Sequence, residues 1–317
     1  MAVLPNTLSL DAIKTDAAAK KFPPAHAPRR RALYSTLSAT HDPEEETMDG
    51  LISRFIEPPW TAPRIAVLEI NGAIGVQVRG PEMIRTIRSL VEDTRIRAVV
   101  VEIDSPGGSA PVSDAIFRAL RRLSSRKPTV SFVMNAGLSG AYLVACGASR
   151  VIALPTALVG SIGVIFMRPV VQELMQKLGV RMVVTHEGRL KTMFQPWREP
   201  SEEEQEKLRA LTADYYDWFV EAVAAARGLS PDVVRQYATG EVFPAARARE
   251  MGLIDDLGDF DMAVDMASEM GRTPRRLQFV RPRRPLLERL LARGGGALAQ
   301  ALLSEAESRL YPRVEFR

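Results

Sequence analysis

Apolar and polar positions follow one rhythm up to about residue 200 and another beyond it. From Arg64 onward, short apolar runs are separated by segments of helical spacing. Ile65–Ile70 reads as a strand ended by Asn71-Gly72. Pro81–Asp93 carries Met83, Ile84, Ile87, Leu90 and Val91 at helical spacing. Ala98–Ile103 is almost continuously apolar, the pattern of a strand covered on both faces. A helix over Val112–Leu123 and a strand over Thr129–Met134 follow, and Ser139 stands where the next helix opens. Val151–Ala153, Ile162–Phe166 and Arg181–Thr185 read as further strands, with Val171–Leu178 helical between the last two. Such alternation predicts a mainly parallel sheet with helices packed on it.

The second rhythm is helical. Ser201 and Glu204 form a capping box that opens a helix running to about Arg227, before Gly228. Residues 244–270 carry two shorter helices around Gly252-Leu253-Ile254-Asp255. Beyond Pro285, Leu286, Leu287, Leu290, Leu291, Leu298, Leu302 and Leu303 make an apolar stripe, suited to subunit packing or to a membrane surface. Residues 1–62 mix Arg29-Arg30-Arg31, the acidic Asp42–Glu46 and Pro58-Pro59, and read as an arm with little to bury. The chain therefore divides into an arm (1–62), an α/β domain (63–271) and a basic, leucine-rich helical extension (272–317).

Composition narrows the classes. With 46% hydrophobic and 25% charged residues, the chain has the make-up of a soluble globular protein. Its net charge is only +4, yet residues 272–293 hold eight arginines against Glu288 alone. That segment suits peripheral contact with an anionic lipid surface. It lacks the interleaved aromatics of a nucleic-acid site, so no nucleic acid is expected. The single cysteine, Cys146, excludes an intrachain disulfide and a multi-cysteine zinc site. No run of eighteen apolar residues occurs, which predicts neither a spanning helix nor a secretory signal, and a cytoplasmic location.

The candidate chemistry lies in a serine and a lysine, Ser139 and Lys191. A serine hydroxyl needs a base to take its proton. Lysine can act as that base only when neutral, which at pH 7 asks for about 4–5 kcal/mol of help. Burial beside apolar groups supplies help of this kind, and Met193, Phe194, Pro196 and Trp197 follow Lys191. Ser139 stands at a helix start, where a serine is equally at home as a simple N-cap. Amides at that start, with Gly140 and the earlier Gly107-Gly108, can face negative charge on a substrate carbonyl.

Taken together, Ile103-Asp104-Ser105-Pro106-Gly107-Gly108-Ser109, Leu138-Ser139-Gly140-Ala141-Tyr142 and Gly160-Ser161-Ile162-Gly163-Val164 resemble segments of the bacterial signal peptide peptidase A family. Gly188–Lys191 with Trp197-Arg198-Glu199 resembles the stretch around that family's lysine, and residues 240–255 its later signature. The resemblance spans residues 64–270 and implies a spiral ββα core like that of Clp protease and the crotonases. It implies Ser139 as nucleophile, Lys191 as general base, Ser161 holding the lysine amine, and the Gly108 and Gly140 amides as oxyanion hole. It also implies a homo-oligomeric ring, unfolded or hydrophobic peptides such as cleaved signal peptides as substrates, and neither metal nor cofactor. The chain departs from the pattern in lacking the spanning helix with which short members usually begin, and in having Val159 where threonine is common.

Three other readings fit some of these residues. One is a phage-type capsid-maturation peptidase of the same superfamily, and another a non-catalytic ring scaffold that binds peptides. The third keeps serine chemistry with His186 as base, since it lies five residues before Lys191.

Overall fold

Apolar runs that face helices on both sides make the centre of the sheet. Residues 62–282 are described in a computed structural model of the chain. The arm and most of the basic extension, with its leucine stripe, lie outside those residues. The central strands are β1 (Arg64–Asn71), β2 (Ile96–Ser105) and β3 (Thr129–Leu138), paired in parallel. Along β2, Val99, Val101 and Ile103 join one apolar cluster, while Ala98 and Val100 join another on the opposite face. This double burial explains the unbroken apolar run in the sequence.

The first face is covered by α1 (Gly80–Glu92), α2 (Ala110–Ser124) and the short α3 (Gly140–Ala145). Between α3 and the next helix come β4 (Arg150–Ala153) and β5 (Leu158–Gly160), then α4 (Gln172–Lys177). The long α5 (Glu202–Arg227) adds Phe219, Val220 and Val223 from its C-terminal half to the same cluster. After α6 (Pro231–Tyr237) come β6 (Val242–Pro244), α7 (Ala245–Glu250) and β7 (Asp256–Leu257). The opposite face is covered by α8 (Phe260–Gly271), through Ala263, Val264 and Ala267. The last described strand, β8 (Leu277–Val280), pairs in parallel with β1, so part of the stretch from residue 272 joins the sheet.

The sheet runs β6-β5-β3-β2-β1-β8, and it branches at β3. Val130–Val133 pair with β4, whereas Ala136–Leu138 pair with β5. Among the described residues, only the β5–β6 pairing is antiparallel. The mainly parallel α/β architecture matches the expectation. Two predicted strands do not form. Ile162–Phe166 and Arg181–Thr185 lie outside any strand, because the sheet edge beside β5 is taken by β6. A strand without a neighbour leaves its backbone groups unpaired and has no reason to persist. In its place the stretch exposes Ile165, Phe166, Met167, Leu178 and Val183, the last 82% accessible.

All six residues of α3 are buried, so this helix is anchored from beneath. The Tyr142 hydroxyl donates to the Leu253 carbonyl at 2.7 Å, and burial pushes the phenol's pKa up. Nearby, Arg227 donates to Gly252 O at 3.0 Å and to Asp255 Oδ2 at 2.9 Å, and the same carboxylate accepts from the Val151 amide. The turn at 252–255 thereby ties α5 and β4 to the floor of α3. Tyr142→Phe should leave the buried Leu253 carbonyl without its donor and cost about 1–3 kcal/mol, measured by urea denaturation.

Candidate active site

Two backbone turns meet at the ends of β2 and β3. After Ser105 the chain turns through Gly107 and Gly108, both at positive φ (94° and 143°). A methyl group on Gly107 would lie 2.7 Å from Leu138 O, 2.8 Å from Gly140 N and 2.9 Å from Ser139 Cβ. One on Gly108 would lie 2.2 Å from Ile74 O. Glycine is therefore required at both positions by contact as well as by conformation. The turn is clamped from its other side, where the Ile74 amide donates to Gly107 O and the Ser109 amide to Ile74 O.

Ser139 occupies the N-cap position of α3, but its hydroxyl does not cap the helix. Its backbone has φ 51° and ψ −123°, a conformation that costs a non-glycine residue on the order of 1–3 kcal/mol. The cost is borne because the Ser139 amide donates to Gly160 O at 2.8 Å and its carbonyl accepts from Leu143. The hydroxyl, freed from capping, is partly exposed. Beside it, neither the Gly108 nor the Gly140 amide has an acceptor among the described residues. Gly140 is packed so closely that a methyl group there would meet Ser113 Oγ at 2.2 Å and Gly108 N at 3.7 Å. The structure thus brings together Ser139 and the two glycines expected as oxyanion donors. Two unpaired amides beside a hydroxyl can hold a tetrahedral oxyanion in a way bulk water cannot.

Ser161 follows the Gly160 whose carbonyl holds the Ser139 amide, and it too has positive φ (51°). Its own amide donates to Glu241 O at 2.7 Å, so the turn before β6 fixes it. Lys191 makes no hydrogen bond to this group among the described residues. It lies on a chain of turns between Gly188 and Phe194, its side chain is exposed, and its ammonium makes no hydrogen bond or ion pair among the described residues. His186 is also exposed, and its Nδ1 lies 3.2 Å from Gly188 O within its own turn.

The Lys191 loop is tied to the segment before it by the Val171 amide, which donates to Pro196 O at 2.8 Å, and by a pair of arginines, neither of which the sequence marks as a site residue by pattern alone. Arg168 donates to Gln195 O at 2.6 Å and to Met193 O at 3.2 Å. Arg198 reaches Thr192 Oγ1 at 2.9 Å and both oxygens of Glu204. Glu204 also closes the capping box at the start of α5 by accepting from the Ser201 amide at 2.9 Å. The Arg198 guanidinium holds the Glu204 carboxyl down at about 2, against the opposing effect of burial and with help from Ser201. Glu204 ionisation therefore supports the fold above pH 4.5, its ordinary value, and that support is lost as pH falls toward 2. No helix among the described residues is long and apolar enough to cross a membrane, and none of their acidic, histidine or cysteine groups cluster as metal ligands.

The profile described as peptidase family S49 matches residues 121–272. A Synechocystis sp. protein with a protease name is 34% identical over 245 residues, 76% of this chain and 87% of its own. The chloroplastic serine protease SPPA of Arabidopsis thaliana is 29% identical over 223 residues; this match covers 67% of the chain but only 33% of the plant protein. Among solved structures, a serine-to-alanine variant of a membrane-bound stomatin-specific protease aligns with a TM-score of 0.46 and 15% identity, over 70% of this chain and 99% of that one.

Ser139→Gly should be more stable than Ser139→Ala by about 1–2 kcal/mol in urea denaturation, because only glycine relieves the positive φ. Thermal unfolding of the unmodified protein should fall more steeply between pH 4.5 and 2 than that of Glu204→Gln, which has no carboxylate to protonate.

Proposed function

Because the chain belongs to peptidase family S49, the signal peptide peptidase A family, and is a peptidase, we propose that it is a serine endopeptidase with a Ser139–Lys191 dyad. The observation that carries this reading is Ser139 itself, held at φ 51° between the unpaired amides of Gly108 and Gly140. The family's α/β fold, like that of Clp protease and the crotonases, accords with the branched, mainly parallel sheet.

Neutral Lys191 takes the proton of Ser139 Oγ as that oxygen bonds to the scissile carbonyl carbon. The carbonyl electrons move to the oxygen, which the Gly108 and Gly140 amides hold. Collapse breaks the C–N bond, and the lysine ammonium returns its proton to the leaving amine. The acyl-enzyme is then opened by water, with the lysine again accepting the proton and giving it back to Ser139. Ser161 would orient the lysine amine.

Lys191 is exposed in the single chain, as are Ile165, Phe166, Met167 and Val183. An apolar surface of this kind invites self-association, and packing of a neighbouring subunit would dry the lysine and favour its neutral form. These features support a homo-oligomeric ring in which neighbours complete the site. Unfolded or hydrophobic peptides suit it as substrates. An open groove of about 440 Å³ begins two residues from Gly108, between α2 and α5; Ala110, Pro111, Leu211, Tyr215 and Trp218 line it together with the acidic Asp114 and Asp214. The reading includes a cytoplasmic location with peripheral membrane contact through the basic segment.

Incubation with an unfolded, signal-peptide-like substrate, with new termini mapped by mass spectrometry, tests the chemistry. Cleavage should vanish in Ser139→Ala and Lys191→Ala and persist in His186→Ala; persistence in Lys191→Ala would overturn the dyad. Val183→Asp should lower both the assembly state, read by native mass spectrometry, and the specific activity.

A further inference from the structure

The loop that carries Lys191 is built of turns, with one backbone bond to a distant segment, from the Val171 amide to Pro196 O at 2.8 Å, so side-chain bonds carry much of its placement. We propose that Arg198 is a positioning residue for Lys191, locking the loop to the first turn of α5 through Glu204. The proposal rests on the dyad reading above.

The geometry is that of a clamp built on the two terminal nitrogens of Arg198. Nη2 donates to Thr192, the residue next to Lys191, at Oγ1 (2.9 Å) and at the carbonyl (3.3 Å). Nη2 and Nη1 together fork onto the Glu204 carboxylate, and Nη1 also donates to Glu199 O at 3.0 Å. Glu204 is itself buried and hydrogen-bonded. Only 3% of its side chain is exposed, and the capping box fixes it to Ser201 at the head of a 26-residue helix. The far end of that helix is anchored in the core by Phe219, Val220 and Val223. Arg198 therefore transmits the position of a rigid helix to the residue beside the base. A planar fork that satisfies a carboxylate and a threonine together cannot be replaced by the point charge of lysine.

A second ion pair offers a built-in comparison. Arg189 and Glu203 also link this loop to the first turn of α5, at 2.5 Å, but the arginine side chain is 76% exposed. An exposed pair of long side chains imposes little order. If mere charge attraction between loop and helix mattered, the two pairs would be equivalent. If fixed geometry matters, only Arg198 counts.

The experiment compares Arg198→Lys, Glu204→Gln and Arg189→Ala in the full chain, with kcat and KM measured on one peptide substrate. Glutamine keeps the capping box, so Glu204→Gln removes the carboxylate fork while leaving the helix start able to form. Arg198→Lys and Glu204→Gln should each lower kcat by roughly 10–100-fold with KM within about twofold, the signature of a misplaced catalytic group. Arg189→Ala should stay within about twofold of the unmodified protein. Unchanged kcat in Arg198→Lys and Glu204→Gln, with Lys191→Ala inactive, would overturn the clamp and leave the dyad intact. Full activity in Lys191→Ala would instead sink the dyad reading on which the clamp depends. A loss shared equally by Arg189→Ala would also refute the clamp, since it would point to general loop charge.

Discussion

The site depends on one close approach of backbone to backbone, where the turn after β2 meets the turn after β3. Gly107 stands so near Leu138, Ser139 and Gly140 that no side chain fits between them. This contact leaves the Gly108 and Gly140 amides unpaired on one side and presses Ser139 into a conformation that it would not choose. Other parts of the fold maintain the approach. Double-sided burial of β2, the buried α3 and the Tyr142–Leu253 bond all resist the relaxation that would let the turns separate. A strained nucleophile persists only where its surroundings are over-determined in this way.

The two halves of the chemistry are built on different physical foundations. Ser139 and its glycines follow directly on the ends of sheet strands, fixed by ladders and by a largely apolar core. Lys191 rides on turns whose backbone carbonyls are held by Arg168 and by Arg198, with little burial. Precision in the first half comes from packing, and in the second from directed hydrogen bonds. Lys191, the proposed base, thus sits on the part of the domain with the smaller share of the core.

Much of this was legible in residues. The strands Ile65–Ile70, Ala98–Ile103 and Thr129–Met134 were legible as short β-branched, largely apolar runs bounded by turn residues, and they form the centre of the sheet. The capping box at Ser201 and Glu204 signals its helix by local chemistry alone, as does Gly228 at the other end. Ile162–Phe166 and Arg181–Thr185 misled because a strand is defined by its neighbour, and composition does not say whether an edge is free. The short strands β6 and β7 were missed for the converse reason: two or three residues carry no period, and their pairing is decided by chain segments about a hundred residues away. The glycines and Ser139 could be picked out, but the unpaired state of two amides and the absence of a cap bond are properties of three-dimensional placement. Arg198 was visible only as a neighbour of the lysine, because a salt bridge partner six residues on is silent in a linear pattern.

The exposed stretch from Ile165 to the Lys191 loop has a consequence for how such a peptidase can diversify. Little of it enters the apolar clusters that hold the sheet together, so insertions and substitutions there leave the folding of the nucleophile untouched. On the proposed reading, this separates two jobs within one domain: the exposed stretch meets other copies, and the turns around Ser139 keep their shape whatever that stretch contacts.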